Sequence, residues 1–556
     1  MKATLNLRQP LDSRQVLMQR QRLLAAAVAL FLGVAGTLAL VMTGCGGSGP
    51  GNMPPPPPMV QSVGPLSAID VGNIIQAAVN SVNVDMAVAV TDRTGKVLGV
   101  FNTPNAPKMA KANFGVMQGA DDVAVALART AAFFSNDQAP LSSRTVRFIS
   151  GVHFPPGVNN LPNADLYGIE NTNRGCTLVP GLAGVPPSNA LSGVIGSGLG
   201  ILTGKADIND SDPNAVNPGG VPIFYQSVVI GGIGVVTTAP DMDVAEFAAF
   251  SGALATAMGR STNMQTTFSP LPTPLPNPGA VFIGGIALPF VNQQTLPASV
   301  SVGPVAGGGG SYVVGPIASL GQPPEGDLIT PMNGSMLSAA EVTQILDQAQ
   351  AAAMKTRAAI RLPPGERTSM VIAVSDLDGT LIGLRRMKDS TIFSIDVAAS
   401  KARNMTYFNS SARTLADMTG VPMGTAVTNR TISFGAQPFF PPGIDDSDPA
   451  PLFLTPGPFF NLFVNDLAHP CSQGFQPKNM AAFQSGIVFF PGSTGIFKGT
   501  TLVGGLGVSG DGVDQDDFVT DNGAVGFAAP DNIRADQIFI RSVRLPYMKF
   551  PRNPTD

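Results

Sequence analysis

Apolar positions in LSAIDVGNIIQAAVNS (66–81) recur every three to four residues behind a Ser, with an acidic residue three places after it. That pattern predicts an amphipathic helix opened by a capping box. In MAVAVTDRTGKVLGV (86–100) the period shortens to two, a turn with Gly three residues after Asp92 intervenes, and a second apolar run follows. This predicts a β-hairpin. DVAVALARTAAFF (122–134) returns to helical spacing. Beyond a long insert, a second apolar hairpin ends near Val236, a helix starts close to Asp241 and Asp243, and VFIGGIALPF (281–290) predicts a closing strand that stops at Pro. Acidic residues at that helix start suit its N-terminus.

The same series occurs twice. LSAAEVTQILDQAQAA (337–352) matches the first helix, and MVIAVSDLDGTLIGL (370–384) the hairpin. DVAASKARNMTYF (396–408) matches the second helix, and TISFGAQPFFPPGI (431–444) matches TVRFISGVHFPPGV (145–158). TTLVGGLGVSGDGVDQDDFVTDNGA (500–524) matches SVVIGGIGVVTTAPDMDVAEFAAFSGA (227–253), with Asp514 and Asp516 at the helix start, and IFIRSVRLPY (538–547) matches the closing strand. The chain divides into 1–44, a leader; 45–64, a Gly/Pro-rich tether; 65–292, the first repeat with its insert; 293–335, a Gly/Pro-rich linker; and 336–550, the second repeat with its insert.

One string suggests catalysis. SDLDGTL (375–381) resembles the nucleophile motif of haloacid-dehalogenase-like phosphatases, with Asp376 as nucleophile and Asp378 as proton carrier, and SGDGVDQDDF (509–518) resembles their magnesium-binding motif. The repeat partner argues against this. Asp92 stands where Asp376 does, but Thr94 replaces Asp378. Such a phosphatase also needs a parallel sheet alternating with helices, whereas this element order favours antiparallel pairs. Asp376 therefore reads as part of a turn.

The N-terminus changes the picture most. Arg8, Arg14, Arg20 and Arg22 precede the apolar run 23–44, and MTGC (42–45) resembles a bacterial lipobox. The expectation is a signal peptide cleaved before a lipid-bearing Cys45, with an uncleaved membrane anchor as the alternative. Either places the rest of the chain outside the cytoplasm, in the cell envelope. The Pro/Gly tether that follows suits an anchored protein. Cys176 and Cys471 each follow an FPPG segment, and in an oxidising compartment they are a possible disulfide. Charged residues are only 13% of the 556, and the net charge is −4. That balance gives no reason to expect nucleic acid as a partner.

The Leu-Ser helix starts, the VAVTD and IAVSD hairpins, the SKA segment (400–402) and the paired strands ending in Gly-Val-Ser-Gly (507–510) together resemble the GlcG/HbpS family of haem-binding domains, found also as the C-terminal part of PduO proteins. The resemblance implies two profilin-like α/β (α+β) sandwiches, each an antiparallel sheet with flanking helices and a long loop insert. It implies haem as cofactor, and a tandem pair that imitates the subunit contact of a symmetric oligomer. Candidate ligand-binding residues are His153, Met387, Lys401, Tyr407, Gly505, Gly507 and Ser509. His, Met and Tyr are iron-ligand types, Lys401 suits a propionate, and the glycines admit a ligand or another backbone. No metal site other than haem iron is indicated, and no catalytic residue is assigned.

The sequence thus predicts an extracytoplasmic lipoprotein, with binding favoured over catalysis, that takes haem or a related small hydrophobic anion in haem sensing, storage or degradation. Its partners would be that ligand, the membrane through the lipid, and an envelope protein. The alternatives are an interaction or sensory module with a vestigial pocket, and the magnesium-dependent phosphatase.

Overall fold

The computed structural model describes residues 64–172, 200–208, 212, 214–257, 265–272, 280–316, 325–360, 362, 365–444, 456–469 and 485–555, which form one compact unit. The apolar run 23–44 and Cys45, Cys176 and Cys471 lie outside these residues. No helix of the described residues is long and apolar enough to cross a membrane.

Helix α1 (Ala68–Val79) starts at Ser67, whose side chain accepts from the Asp70 amide while Asp70 accepts from the Ser67 amide. The predicted capping box is formed. Strands β1 (Met86–Asp92) and β2 (Val97–Asn102) pair antiparallel around the Asp92 turn, with Gly95 at φ +87°. Helix α2 (Ala120–Phe134) and the short α3 (Ser143–Phe148) come next. Strands β3 (Gly220–Tyr225) and β4 (Val228–Thr237) are joined by Gln226 and Ser227, both at positive φ. That is the backbone of a tight hairpin turn matched to strand twist. Helix α4 (Met242–Gly252) is capped by Asp241.

The predicted closing strand folds differently. Gly284 and Gly285 both take positive φ and break it into a small hairpin, Phe282–Ile283 with Ile286–Ala287. Its counterpart breaks in the same way at Arg541 and Ser542, pairing Phe539–Ile540 with Val543–Arg544.

The segment read as a linker supplies an edge strand to each sheet. Strand β5 (Ser311–Val314) pairs with β2, and β6 (Gly326–Ile329) joins the second sheet. The second repeat then gives α5 (Ala339–Ala353), β7 (Val371–Ser375), β8 (Leu381–Arg386), α6 (Ser394–Phe408), α7 (Asn429–Gly435), α8 (Phe460–Ala468), β9 (Ser493–Lys498), β10 (Thr501–Ser509) and α9 (Val513–Gly523). The sheet orders are β3-β4-β1-β2-β5 and β6-β8-β7-β10-β9, antiparallel throughout. Read from the two-residue hairpin outward, they are the same sheet. The α+β class and the flanking helices are as the sequence predicted.

Both faces of each sheet are covered, so the central strands are apolar on both. In β7 and the residue before it, Met370, Ile372 and Val374 join the core under α5 and α9, while Val371 and Ala373 join the core under α6. Period two sends alternate side chains to opposite faces. On the α6 side the spacing is set by glycine. A Cβ on Gly505 would lie 2.1 Å from the Ala402 carbonyl oxygen, and one on Gly507 2.1 Å from that of Ala398. Gly232 and Gly234 take α2 against β4 in the same way, at 2.2 Å from the Ala128 oxygen and 1.9 Å from the Ala124 oxygen.

The repeats share a core. Phe133 and Phe134 of α2 cluster with Phe393, Val397 and Phe490, and the Phe133 and Phe393 rings meet edge to face at 4.5 Å. Ile392 donates its amide to the Thr94 carbonyl (3.0 Å), and Arg93 Nε donates to Asp389 Oδ1 (3.2 Å). His153 stacks on Phe439, its own counterpart in the second repeat, at 5.4 Å. A contact between equivalent positions is what the axis of an isologous pair produces.

Replacing Gly507 by Ala leaves no room for α6 at its present distance. We expect G507A to lower unfolding free energy by about 1–3 kcal/mol or more, the usual cost of overpacking. Gly526, at φ +85° with nothing near its Cβ position, is the control: G526A incurs backbone strain only. Denaturant titration of both variants checks this.

Candidate functional site

Helix α6 is buried along its whole length, so every polar group it carries needs an internal partner. Lys401 is 0% exposed; its Nζ donates to Asp516 Oδ2 (2.9 Å) and to the Val508 carbonyl (2.7 Å), and it lies 4.6 Å from the centre of the Phe490 ring. Burial pushes the Lys401 ammonium down from its usual range and the Asp516 carboxyl up, while each ion's attraction for the other opposes the shift. Gly492, at φ +110°, closes over the pair; a Cβ there would meet Lys401 Nζ at 2.6 Å. Lys401 therefore ties α6 to the first turns of α9.

Asp514 and Asp516 lie in the first turn of α9, as the sequence placed them, but neither caps the helix. The residue before α9 is Gly512, with no side-chain cap. Asp516 faces Lys401, and Asp514 accepts from Arg430 Nη2 (2.7 Å). Arg430 also pairs with the fully buried Asp517, which accepts the Gly492 amide (2.8 Å) and the Lys549 amide (3.1 Å). The first repeat keeps this second arrangement: Arg144 Nε donates to Glu246 (2.7 Å), and Glu246 accepts the Asn292 and Gln293 amides, both at 3.0 Å. It does not keep the first. Leu127 and Ala245 stand at the positions of Lys401 and Asp516, so one repeat holds a neutral ion pair where the other holds two apolar side chains.

Of the residues singled out from sequence, the structure brings together Lys401, Gly507 and Ser509. A Cβ on Gly507 would lie 2.8 Å from Lys401 Cβ, and Ser509 Oγ bonds Ser394 Oγ at 3.3 Å. All three are in the α6–β10 contact. Gly505 admits the α6 backbone one turn further on. The other three lie elsewhere. Met387 accepts the Met370 amide through Sδ (3.4 Å) beside the α5–α9 core. Tyr407 donates to Asp417 Oδ2 (2.8 Å), and burial and that carboxylate hold its phenol proton tightly. His153 is 9% exposed against Phe439. His469, exposed just beyond α8, is in a fourth place. These side chains do not assemble one ligand set for a haem iron.

The phosphatase motif is a turn. Asp376 accepts the Ser335 amide (2.8 Å) and hydroxyl (2.7 Å), and Asp378 accepts the Thr380 amide (2.9 Å). Asp92 holds the equivalent turn through Thr94 and Lys96 amides, both 2.9 Å. Asp511 accepts the Ala359 and Gly512 amides (2.6 and 2.8 Å). Among the described residues no group of three or more His, Cys, Asp or Glu could hold a metal ion.

Sequence reasoning missed the Arg144–Glu246 and Arg430–Asp517 pairs, although SRTVRF and NRTISF align with an Arg in second place. It also missed the cleft between the repeats. About 370 Å³ in volume, this cleft lies between Ala139, Val281 and Phe282 on one side and Arg357, Ala359 and Leu362 on the other.

Comparison with known proteins places the second repeat. Residues 342–524 match the family model described as haem degrading protein HbpS-like. The search of curated proteins gives no match. Among solved structures, Klebsiella pneumoniae protein ORFY, of family DUF336, is 16% identical over 35% of this chain and 94% of its own, with a TM-score of 0.21. The PduOC:haem complex is 19% identical over 34% of this chain and 94% of its own, also at 0.21. The resemblance read from the motifs is thus borne out, and the matched residues run from α5 to the end of α9.

Removing Lys401 alone leaves a buried carboxylate without its cation, which costs about 3–5 kcal/mol. K401L should therefore be strongly destabilised. The double change K401L/D516A copies the first repeat's own solution and should return to within about 1–2 kcal/mol of the parent, since apolar replacement of both ions is often neutral. In K401L the folded-state Asp516 pKa rises further above its unfolded value, so its stabilising contribution is present at low pH and lost as pH rises. The deficit relative to the parent should widen between pH 5 and pH 8, and urea titrations at both pH values measure it.

Proposed function

We propose that the chain is a tandem HbpS-like binding protein held at the cell envelope by lipid on Cys45, taking haem or a related hydrophobic anion. The observation that carries this reading is the family match over 342–524, the repeat that retains the Lys401–Asp516 pair and the Gly-Val-Ser-Gly strand end. The PduOC structure's haem complex supports the ligand class by analogy only.

A second reading is an interaction or sensory module whose pocket has closed. It is favoured by one observation, that Lys401, Gly507 and Ser509 are buried in the α6–β10 contact.

Haemin titration separates the two. The first predicts a Soret shift that saturates at one or two equivalents per chain; an unchanged spectrum of free haemin at all ratios would leave the second.

The cysteines enter the same proposal. Asn171 Nδ2 donates to Asp466 Oδ2 at 3.4 Å, and Cys176 and Cys471 each lie five residues beyond one of these partners. Five residues of chain span up to about 18 Å, so pairing is within reach, and it would tie the two inserts together. Mass spectrometry of the membrane-extracted protein, without reduction, reads both modifications. The expected result is a diacylglyceryl or triacyl mass on Cys45 and a linked Cys176–Cys471 peptide; free thiols at both positions would sink the disulfide.

A further inference from the structure

The two repeats differ most usefully between their first helix and first strand. Residues 80–85 make that connection in the first repeat, and 354–370 make it in the second. The longer connection is pinned at its described residues 356–360 and 366–368. Ala358 donates its amide to the Glu366 carbonyl (2.9 Å), Thr368 N bonds the Thr356 carbonyl (2.9 Å), and the Ala359 and Ile360 amides both reach Asp511 Oδ1 (2.6 and 3.3 Å). It forms one wall of the cleft between the repeats.

The opposite wall is fixed as well. Asn136 Oδ1 accepts the Gln138 and Ala139 amides, both at 2.9 Å, and the Leu288 amide bonds the Val281 carbonyl at 2.8 Å below the Phe282 hairpin. A cavity with preformed walls spends little free energy on ordering when a ligand enters.

The lining is largely apolar, with Asn136 and Gln138 as its polar side chains and a single charge. Ala139, Val281, Phe282, Ala359 and Leu362 supply the surface, and Arg357 is the one charged residue among the described lining residues. Its amide donates to the Pro554 carbonyl (2.7 Å) and its Nη2 reaches the Arg552 carbonyl only at 3.4 Å; no carboxylate pairs with it among the described residues. Asp137, close by in sequence, accepts the Val229 amide (2.9 Å), and the exposed Glu366 lies near enough to act electrostatically on the Asp137 carboxyl. A guanidinium presents a planar fork of donors suited to a carboxylate. Small-molecule sites combine an apolar surface with a few placed polar groups in ~300–1,000 Å³, and 370 Å³ lies at the small end of that range.

At the equivalent hairpin, Phe539, the counterpart of Phe282, is 63% exposed where Phe282 is 45% exposed. The longer connection supplies the wall that carries Arg357.

Resting on the ligand class proposed above, we infer that this cleft is where the chain takes an amphipathic carboxylate, with Arg357 gripping the carboxylate and Phe282 and Leu362 holding the apolar body. The described lining holds no iron-ligand side chain, so a porphyrin would be held there through a propionate alone. A smaller amphipathic acid would enter whole.

The test is equilibrium binding to the full chain, with haemin, haemin dimethyl ester and dodecanoate as the probes. Haemin or dodecanoate should bind the parent. Substitution R357A should weaken that binding about tenfold or more, the scale of a lost charge-assisted pair, and F282A should weaken it severalfold. F539A should leave it unchanged, and the dimethyl ester should bind the parent as weakly as haemin binds R357A. Arg357 is exposed, so R357A is expected to melt with the parent. Parent-like binding to R357A overturns the inference and leaves the proposed function standing. Absence of haemin and dodecanoate binding to the parent overturns both.

Discussion

Much of this structure follows from how closely a helix is allowed to approach a sheet. In each repeat two glycines of the long inner strand let helix backbone carbonyls come to within 1.9–2.2 Å of where a Cβ would stand. Side chains cannot fill so small a gap, so helix and strand meet backbone to backbone. The small residues on the facing strand, Ala87 and Ala89 or Val371 and Ala373, continue the same thin layer. Close packing of this kind transmits volume changes directly. It also buries α6 from end to end, which is why a Lys, near the middle of a motif that looks amphipathic, has no route to water.

The repeats then show two answers to one packing problem. Beside the glycine contact, the second repeat places Lys401 and Asp516, and the first places Leu127 and Ala245. Both are electrically neutral. The ionic answer is costly in desolvation and gives a directed link between two helices; the apolar answer needs only shape. In contrast, the Arg144–Glu246 and Arg430–Asp517 pairs are kept in both, because each acid also receives backbone amides from the closing segment and so holds the C-terminal end of its repeat. The asymmetry that matters for ligands lies elsewhere, in the length of the connection from first helix to first strand. The family model covers the repeat with the ion pair, and the cleft borrows a wall from each repeat.

Much of the fold could be read from the amino acids. Ser67 and Ser338 open helices as their spacing indicated, and the turns at Asp92 and Asp376 hold the two hairpins. Two readings failed for local reasons. The closing strand broke into a hairpin because two consecutive residues adopt positive φ, which Arg541 and Ser542 do not advertise. The segment 293–335 looked like a linker because glycine and proline dilute its short apolar runs, yet SYVV and GDLI complete the two sheets. An edge strand needs little hydrophobic signal, since half of its groups face outward.

The sequence by itself determined that the chain is a duplicated α+β unit and that Asp376 belongs to a turn. Those are consequences of period, spacing and self-comparison, which act over a few residues. The tertiary structure alone decided that Lys401 is internal, that His153 meets its own counterpart, and that Arg357 stands over a cleft between repeats. Each of these depends on residues brought together from more than a hundred positions apart, and no local pattern carries the distance between two side chains.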